Sequence, residues 1–245
     1  MDNDTAWKHN AEYWQTIIRE DRDRYRTECL TPALLEQIGE CRDQTVLDAG
    51  CGEGHVSRHC ARRGATVTAI DSCPLLVTAT KQASKAAGLP MRVLQADIRA
   101  LPFPPSSFDI ALAVLVLNEL EHPARAIAEL ARVTKPGGRV ILILLHPCFY
   151  RANRKRDDVL EPISAAQYFD VRRLQQTFLV NGEASPAPVT LWLRPLEEWA
   201  AACSSAGLLI TNLREPRPSV LADPWWEKNF RVPLFLSIEA SPAPR

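Results

Sequence analysis

The fold of this chain is decided by the stretch Val46-Leu47-Asp48-Ala49-Gly50-Cys51-Gly52-Glu53-Gly54. Its apolar residues predict a buried strand, and residues 55–63 predict a helix with Val56 and Cys60 on one face and Gly64 after its end. Three glycines within five positions let the backbone turn sharply and leave amides uncovered for a ligand at the helix start. The stretch therefore predicts a cofactor loop, the simpler alternative being a turn that only connects the strand to the helix.

The glycine spacing separates the kinds of cofactor. A dinucleotide fingerprint needs its third glycine at the position of His55, and a phosphate loop needs a Gly-Lys-Ser/Thr sequence that is absent after Gly52. Asp48, at the strand end, would repel a diphosphate but tolerate an ammonium or sulfonium group. The loop therefore favours a cationic ligand.

Three motifs resemble one family. The pattern Leu47-Asp48-x-Gly50-Cys51-Gly52-x-Gly54 resembles the first motif of the class I S-adenosylmethionine-dependent methyltransferases. The stretches Pro102–Asp109 and Lys135-Pro136-Gly137-Gly138, each ahead of an apolar strand, are similar to the same family, in particular to its small-molecule, type 11-like members. The resemblance implies an α/β fold with a Rossmann-like, doubly wound, seven-stranded sheet whose last strand is antiparallel, and S-adenosylmethionine as the cofactor. It spans residues 40–145, and more loosely residues 194–240.

Acidic residues end three successive predicted strands. Asp71, about 20 residues beyond the first glycine, can accept hydrogen bonds from both ribose hydroxyls, or else cap the next helix. Asp97 resembles the family's adenine contact, the alternative being an exposed turn aspartate. The candidate cofactor-binding residues are Arg26, Asp48, Gly50, Cys51, Gly52, Asp71, Ser72, Asp97, Ile98 and Leu115.

Residues 1–40 predict an N-terminal helical extension ahead of a methyltransferase domain at residues 41–245. An amphipathic helix is expected over residues 6–26, and a second helix is expected to be capped by Thr31 and to end at Gly39. The resemblance implies that this extension covers the ligands as a lid. Arg26 can then hold the methionine carboxylate in bidentate fashion, and the aromatic candidates for ligand contact are Tyr13, Trp14 and Tyr25. The alternative for each is a helix packed on the sheet, with the arginine in solvent.

Polar residues at the ends of the fourth and fifth strands are the candidates for chemistry. His146 ends the fifth strand, and its imidazole titrates near neutral pH, so it is the candidate general base. The alternative is a histidine that shapes its loop or hydrogen-bonds the lid. Asn118 and Glu119, at the end of the fourth strand, are candidates for facing substrate.

Regular patterning lapses from Tyr150 to Thr190, which predicts an insertion at residues 147–190 that forms a lid or a substrate wall. A basic cluster at residues 151–156 is followed by two aspartates, which favours a solvated loop over a nucleic-acid patch. Further along, Trp225 and Trp226 are expected either to wall an apolar, aromatic or cationic substrate or to pack on the sheet.

Composition narrows the class of protein. The 245 residues carry 29 basic and 29 acidic side chains, so nothing global favours nucleic acid or an anionic membrane as a partner. Seven scattered cysteines and the lack of a leader or spanning segment lead us to expect a soluble, cytoplasmic monomer or homodimer. His55 and His59 are spaced one helical turn apart without an apparent third ligand, so no metal is predicted.

These patterns favour a biosynthetic methyltransferase that transfers a methyl group to O, N or C of a small molecule. One alternative keeps the fold and the cofactor but catalyses another reaction, such as a cyclisation, because fold does not determine chemistry. The other is methylation of RNA or protein, which the neutral charge disfavours.

Overall fold

The computed structural model describes residues 2–150, 165–219 and 223–243. Within these ranges the strands are β1 (Thr45–Ala49), β2 (Thr66–Asp71), β3 (Arg92–Gln95), β4 (Phe108–Val114), β5 (Thr134–Leu145), β6 (Arg172–Gln176), β7 (Leu179–Val180), β8 (Glu183–Ala184), β9 (Val189–Leu193), β10 (Leu208–Arg214) and β11 (Phe235–Pro242). The α-helices are α1 (Asn3–Arg19), α2 (Thr31–Ile38), α3 (His55–Arg62), α4 (Pro74–Ala86), α5 (Ala124–Val133), α6 (Ala165–Phe169), α7 (Leu196–Ser205) and α8 (Pro224–Asn229). A π-helix (Tyr25–Leu30) precedes α2, and a 3₁₀ turn (Leu117–Glu119) follows β4.

Seven strands form the central sheet, in the order β10-β11-β5-β4-β1-β2-β3. The pairs from β5 to β3 are parallel, whereas β11 runs antiparallel to both β5 and β10. Strand β5 is buried on both faces from Val140 to Leu144, as expected for a central strand covered by helices on both sides. This is the predicted Rossmann-like fold with its antiparallel last strand, and the prediction is confirmed.

The first predicted helix is too long. Helix α1 ends at Arg19, and Asp21 adopts a positive φ of 51° that breaks the helical backbone. The Asp23 carboxylate then accepts from the amide of Tyr25 at 3.1 Å and starts the π-helix that continues into α2. The predicted Thr31 cap is also wrong, because Thr31 already has helical backbone angles and its hydroxyl lies 3.3 Å from His55 Nε2.

Two strand boundaries differ from the prediction. Strand β4 stops at Val114 because Leu115 has a φ of 60°, which an extended strand does not allow. Strand β5 begins at Thr134 rather than Arg139, and Lys135–Gly138 interrupt its register with β4. At Gly138 a Cβ would lie 2.8 Å from the Asp109 carbonyl oxygen, so the strands can approach here only with glycine.

The insertion is more regular than its sequence suggests. Strands β6 and β9 form one antiparallel pair, and β7 and β8 form another. The basic cluster at residues 151–156 lies outside the described residues. Helix α1 packs on this insertion through the side chain of Asn10. Its Nδ2 donates to the Ala187 carbonyl, and its Oδ1 accepts from the Ala187 backbone N–H, both at 2.8 Å. Across the described ranges, every helix is too short or too polar to span a membrane.

Candidate active site

A cavity of about 1240 Å³ opens at the carboxyl ends of the parallel strands. Its wall combines the loops after β1 to β5 with α1, the π-helix, the β6–β9 insertion and α8. Parallel sheets of this kind bind ligands at this edge. The volume exceeds the roughly 300–1,000 Å³ of ordinary ligand pockets, so the cavity has room for two ligands.

All ten predicted cofactor residues line this cavity. The loop after β1 turns through Gly50, Gly52 and Gly54, whose φ values are 77°, 59° and 84°. At Gly50 an added Cβ would lie 2.7 Å from a methyl carbon of Val116, whereas at Gly52 no heavy atom lies within 4 Å. Gly50 therefore permits close packing against the β4 end, and Gly52 keeps an open cradle on the cavity side.

Asp48 ends β1 beneath the glycine loop. Its carboxylate is almost fully buried and accepts a 2.5 Å hydrogen bond from the Ser57 hydroxyl on α3. Burial raises the pKa of Asp48 to about 6, while the Ser57 hydrogen bonds and the charge of Arg26 act in the opposite direction. The group is therefore an anion at neutral pH whose negative charge is weakly compensated.

Asp71 ends β2, and its carboxylate bonds the backbone at the start of α4, as the capping alternative predicts. One carboxylate oxygen accepts from the Gly52 amide and the other from the Cys73 amide at the start of α4, both at 2.9 Å. Burial raises its pKa to about 6. The carboxylate thus joins the glycine loop to α4 while it lines the cavity.

Carboxylates outnumber cationic groups around the cavity. The described acidic lining residues are Asp4, Asp23, Asp48, Glu53, Asp71, Asp97 and Glu119, and the cationic ones are Arg26, Arg99 and Lys228. The Glu53 carboxylate forms an ion pair at 2.6 Å with Arg58, and the Asp97 carboxylate forms one at 2.8 Å with Arg99. An excess of negative charge attracts a cationic ligand and repels a phosphate, in agreement with the glycine spacing.

Two residues of the cavity wall, Arg26 and Trp14, each have a buried nitrogen without a hydrogen-bond acceptor in the described chain, Nε and Nε1 respectively. The nearest carboxylate to the Arg26 guanidinium is Asp23, at 3.9 Å, and the guanidinium lies 6.0 Å from the Trp14 ring centroid. Buried donors almost always have a partner, so this pair indicates a ligand acceptor. The carboxylate of an amino-acid headgroup would supply such an acceptor, and Asp48, on which the charge of Arg26 acts, would suit its ammonium. The residues present therefore fit S-adenosylmethionine.

The third acidic strand end, Asp97, lies on the wall with its carboxylate directed to Arg99, which bonds both oxygens at 2.8–3.0 Å. Next to it, Ile98, Leu115 and Val116 supply apolar surface of the kind that an adenine ring needs.

His146 is not among the described residues that line the cavity. It is buried, its Nδ1 accepts from the Cys148 amide at 3.2 Å, and its Nε2 lies 2.9 Å from a Glu215 oxygen. Because Nδ1 is an acceptor, the neutral ring carries its proton on Nε2 and donates it to Glu215. Burial lowers the pKa of His146. This arrangement argues against the predicted general base and supports the alternative of a loop-shaping histidine.

The other candidates divide between the cavity and the core. Trp14, Tyr25, Trp225 and Glu119 line the cavity. The others make internal contacts: Tyr13 donates to the Glu183 carbonyl, Trp226 donates to Glu28, and Asn118 accepts from the Leu145 amide. His55 also lines the cavity, and burial lowers its pKa to about 3. The described residues contain no cluster of three metal-ligating side chains.

Sequence reasoning missed several wall residues. Glu53 lies between two loop glycines, and this position could have predicted that it lines the cavity. Phe178 comes from the insertion, where no periodic pattern indicated a face, and Leu191 comes from β9 at its end. With Phe149, Tyr150 and Trp225 they form a largely aromatic set of wall residues, which we take as the side for an acceptor and call the acceptor half.

The chain is similar in sequence to known proteins. Residues 47–142 match the methyltransferase domain family. Malonyl-[acyl-carrier protein] O-methyltransferase of Pseudescherichia vulneris is 42% identical over 113 residues, 46% of this chain and 43% of the relative. Demethylmenaquinone methyltransferase of Tropheryma whipplei is 36% identical over 111 residues, 45% of each. The matches thus span less than half the length of these curated relatives.

The likeness in structure extends further along the chain. The crystal structure of an S-adenosylmethionine-dependent methyltransferase from Mesorhizobium loti superimposes with a TM-score of 0.68 at 23% identity, covering 86% of this chain and 96% of that one. This likeness shows the shared fold, and the domain match covers the glycine loop and the following strand ends. Residues 47–142 are therefore a methyltransferase domain by sequence, and the chain around them has the fold of the S-adenosylmethionine-dependent methyltransferase from Mesorhizobium loti.

Proposed function

We propose that this protein uses S-adenosylmethionine to methylate a small organic acceptor held in the acceptor half of the cavity. The observation that carries the proposal is the acidic cavity whose wall contains Arg26 and Trp14. The Nε of Arg26 and the Nε1 of Trp14 lack hydrogen-bond acceptors in the described chain, and the carboxylate of the cofactor's amino-acid group would supply one. Both curated relatives are named as methyltransferases, which supports the same reaction class here.

Each part of the cofactor has a group of residues that suits it. Asp71 would accept from the ribose hydroxyls, and Ile98 and Leu115 would contact the adenine beside Asp97. The glycine loop with Asp48 would hold the ammonium, and Arg26 the carboxylate. Bound S-adenosylmethionine supplies an electrophilic methyl group on a sulfonium. The protein's contribution is to hold the acceptor in line with that group and to exclude water.

The acceptor half favours an apolar or aromatic substrate. Phe149, Phe178 and Trp225 present rings, and the polar groups include Gln176, whose side-chain oxygen accepts from the Tyr150 hydroxyl at 3.0 Å. An aromatic wall of this kind gives large contact area at little cost in side-chain entropy. We also propose that residues 1–40 and the insertion at residues 147–190 act together as the lid over both ligands.

The test is calorimetric titration of the purified protein with S-adenosylmethionine and S-adenosylhomocysteine. We expect saturable binding of both, weakened by Asp71→Ala and unchanged by Asp43→Asn, a matched control at an exposed carboxylate away from the cavity. A folded protein that binds neither ligand would refute the cofactor assignment.

An acceptor screen scored by mass then separates the reaction classes. A product heavier by one methyl group supports methyl transfer, whereas a product of unchanged mass supports a cyclisation. Activity on RNA that falls steeply with added salt would favour a macromolecular substrate instead.

A further inference from the structure

Glu119 occupies a junction within the cavity. It ends the 3₁₀ turn after β4, and its carboxylate accepts from the indole N–H of Trp7 on α1. Its backbone carbonyl accepts from the Asn3 side chain at 3.1 Å, and the same side chain donates to the Thr190 carbonyl of β9 at 2.8 Å. Three elements therefore hold Glu119 in place: α1, the end of β4 and the insertion.

Glu119 lies on the cavity wall between the end of β2 and the aromatic residues of the insertion. On one side lies Asp71, close enough for its charge to act on Glu119. On the other side, the Trp7 ring packs against Phe178 with centroids 6.4 Å apart, and Phe178 belongs to the aromatic wall of the acceptor half. The Glu119 carboxylate therefore lies between the proposed ribose ligand Asp71 and the proposed acceptor half.

We propose that Glu119 is the general base that takes the proton from a hydroxyl or amine acceptor as it is methylated, and that Trp7 positions it. This inference rests on the proposed function. A new bond forms between the acceptor oxygen or nitrogen and the methyl carbon, while the carbon–sulfur bond breaks with its electron pair left on sulfur. The acceptor proton passes to the Glu119 carboxylate and from there to solvent.

The surroundings of Glu119 suit this role. Burial raises its pKa to about 8, the Trp7 hydrogen bond opposes that rise, and the charge of Asp71 adds to it. The contacts described from α1 and β9 are the neutral Trp7 and Asn3 side chains and the Thr190 carbonyl, with the carboxylate of Asp4 also on the cavity wall. A base with a pKa near the working pH transfers protons effectively in both directions.

The test measures the pKa of Glu119 directly, by carbon NMR of protein labelled at the glutamate carboxyl and assigned with Glu119→Gln. The titration is run on the free protein and on its complexes with S-adenosylmethionine and S-adenosylhomocysteine. A sulfonium next to the carboxylate should lower this pKa by about one to three units relative to the neutral thioether. A purely structural glutamate would have the same pKa in both complexes, and that result would overturn the proposal.

Binding and turnover complete the test. Glu119→Gln keeps an oxygen for Trp7, so we expect it to fold and to bind S-adenosylhomocysteine as the unchanged protein does; loss of that binding would make Glu119 a cofactor ligand instead. With the acceptor found by the mass screen, Glu119→Gln should lower kcat about 10²–10⁴-fold. The control is Glu121→Gln, at an exposed glutamate two residues away. If neither ligand binds the unchanged protein, the proposed function fails before this inference is reached.

Discussion

At the scale of single residues, Arg26 is a cationic residue of the cavity wall whose buried Nε has no hydrogen-bond acceptor in the described chain. If it binds the carboxylate of the cofactor, Arg26→Ala should weaken S-adenosylhomocysteine about 10- to 100-fold, as expected for charge-assisted hydrogen bonds. The same variant should bind 5′-methylthioadenosine, which lacks the amino acid, with unchanged affinity. Calorimetry on both ligands checks this, and equal losses would place Arg26 elsewhere.

His146, unlike Arg26, is expected to affect stability and not ligand binding. Its imidazole links the Cys148 amide to Glu215 and makes no described contact with the cavity. Replacing His146 with alanine should lower the free energy of unfolding by about 1–3 kcal/mol, because a buried amide loses its acceptor. Urea unfolding measures that loss. The pH profile of turnover should keep its shape, and a lost titration there would restore His146 as the base.

Residue-level prediction from sequence succeeded where backbone rules apply and failed where a side chain depends on a distant partner. Asp48 and Asp71 could be placed because strand ends and glycine turns determine them locally. His146 could not be resolved, since its partner Glu215 lies 69 residues further along the chain. Trp7 and Glu119 are separated by 112 residues, and no local pattern joins them.

At the scale of elements, the glycine loop separates packing from ligand space. Gly50→Ala would bring a methyl group within 2.7 Å of Val116, whereas Gly52→Ala would place one in open space. Both substitutions carry the cost of a positive φ, about 1–2 kcal/mol. We therefore expect Gly50→Ala to destabilise the protein more, and Gly52→Ala to impair cofactor binding at a smaller loss of stability.

A double variant makes this prediction specific. Val116→Ala removes the methyl carbons at 2.7 and 3.1 Å from the new Cβ but keeps the Val116 Cβ at 2.8 Å, so it should recover only part of the stability that Gly50→Ala loses. It should recover nothing in combination with Gly52→Ala. Urea unfolding of the three single and two double variants gives the coupling energies, and strictly additive losses for the Gly50 pair would contradict the packing role.

The insertion shows the limit of pattern reading at this scale. Its sequence reads as irregular because β7 and β8 have two residues each, too few for an alternating pattern to be visible. Strand β9 is nevertheless buried at four of its five positions, and it is held by pairing with β6 and by contact with α1.

At the scale of the whole molecule, the buried carboxylates predict how stability depends on pH. The pKa values of Asp48 and Asp71 are raised to about 6, and that of Glu119 to about 8. Between the ordinary pKa and the raised one, the folded protein holds more protons than the unfolded chain, so stability falls as pH rises. The stability that these three groups contribute is thus fully present only at acidic pH. It is lost as the pH rises through about 6 for the two aspartates and through about 8 for Glu119.

Variants that replace a carboxylate with a neutral amide should separate the loss of stability near pH 6 from the loss near pH 8. Asp48→Asn should gain thermal stability over the unchanged protein between about pH 4 and pH 6, with no further gain above that range. Glu119→Gln should continue to gain up to about pH 8. Melting temperatures measured from pH 4 to pH 9 check both curves. A gain that shrinks as pH rises would show that the native pKa values are lowered rather than raised.

The paired hydrogen bonds between Asn10 and Ala187 bear on the kinetics of ligand exchange. They tie α1, which lies over the glycine-loop end, to the insertion that walls the acceptor half. An outward movement of one element therefore carries the other with it, unless two buried hydrogen bonds break first. We expect a single slow opening to set the exit rate of both products, so that turnover under saturating conditions follows the frequency of that opening rather than the speed of bond formation.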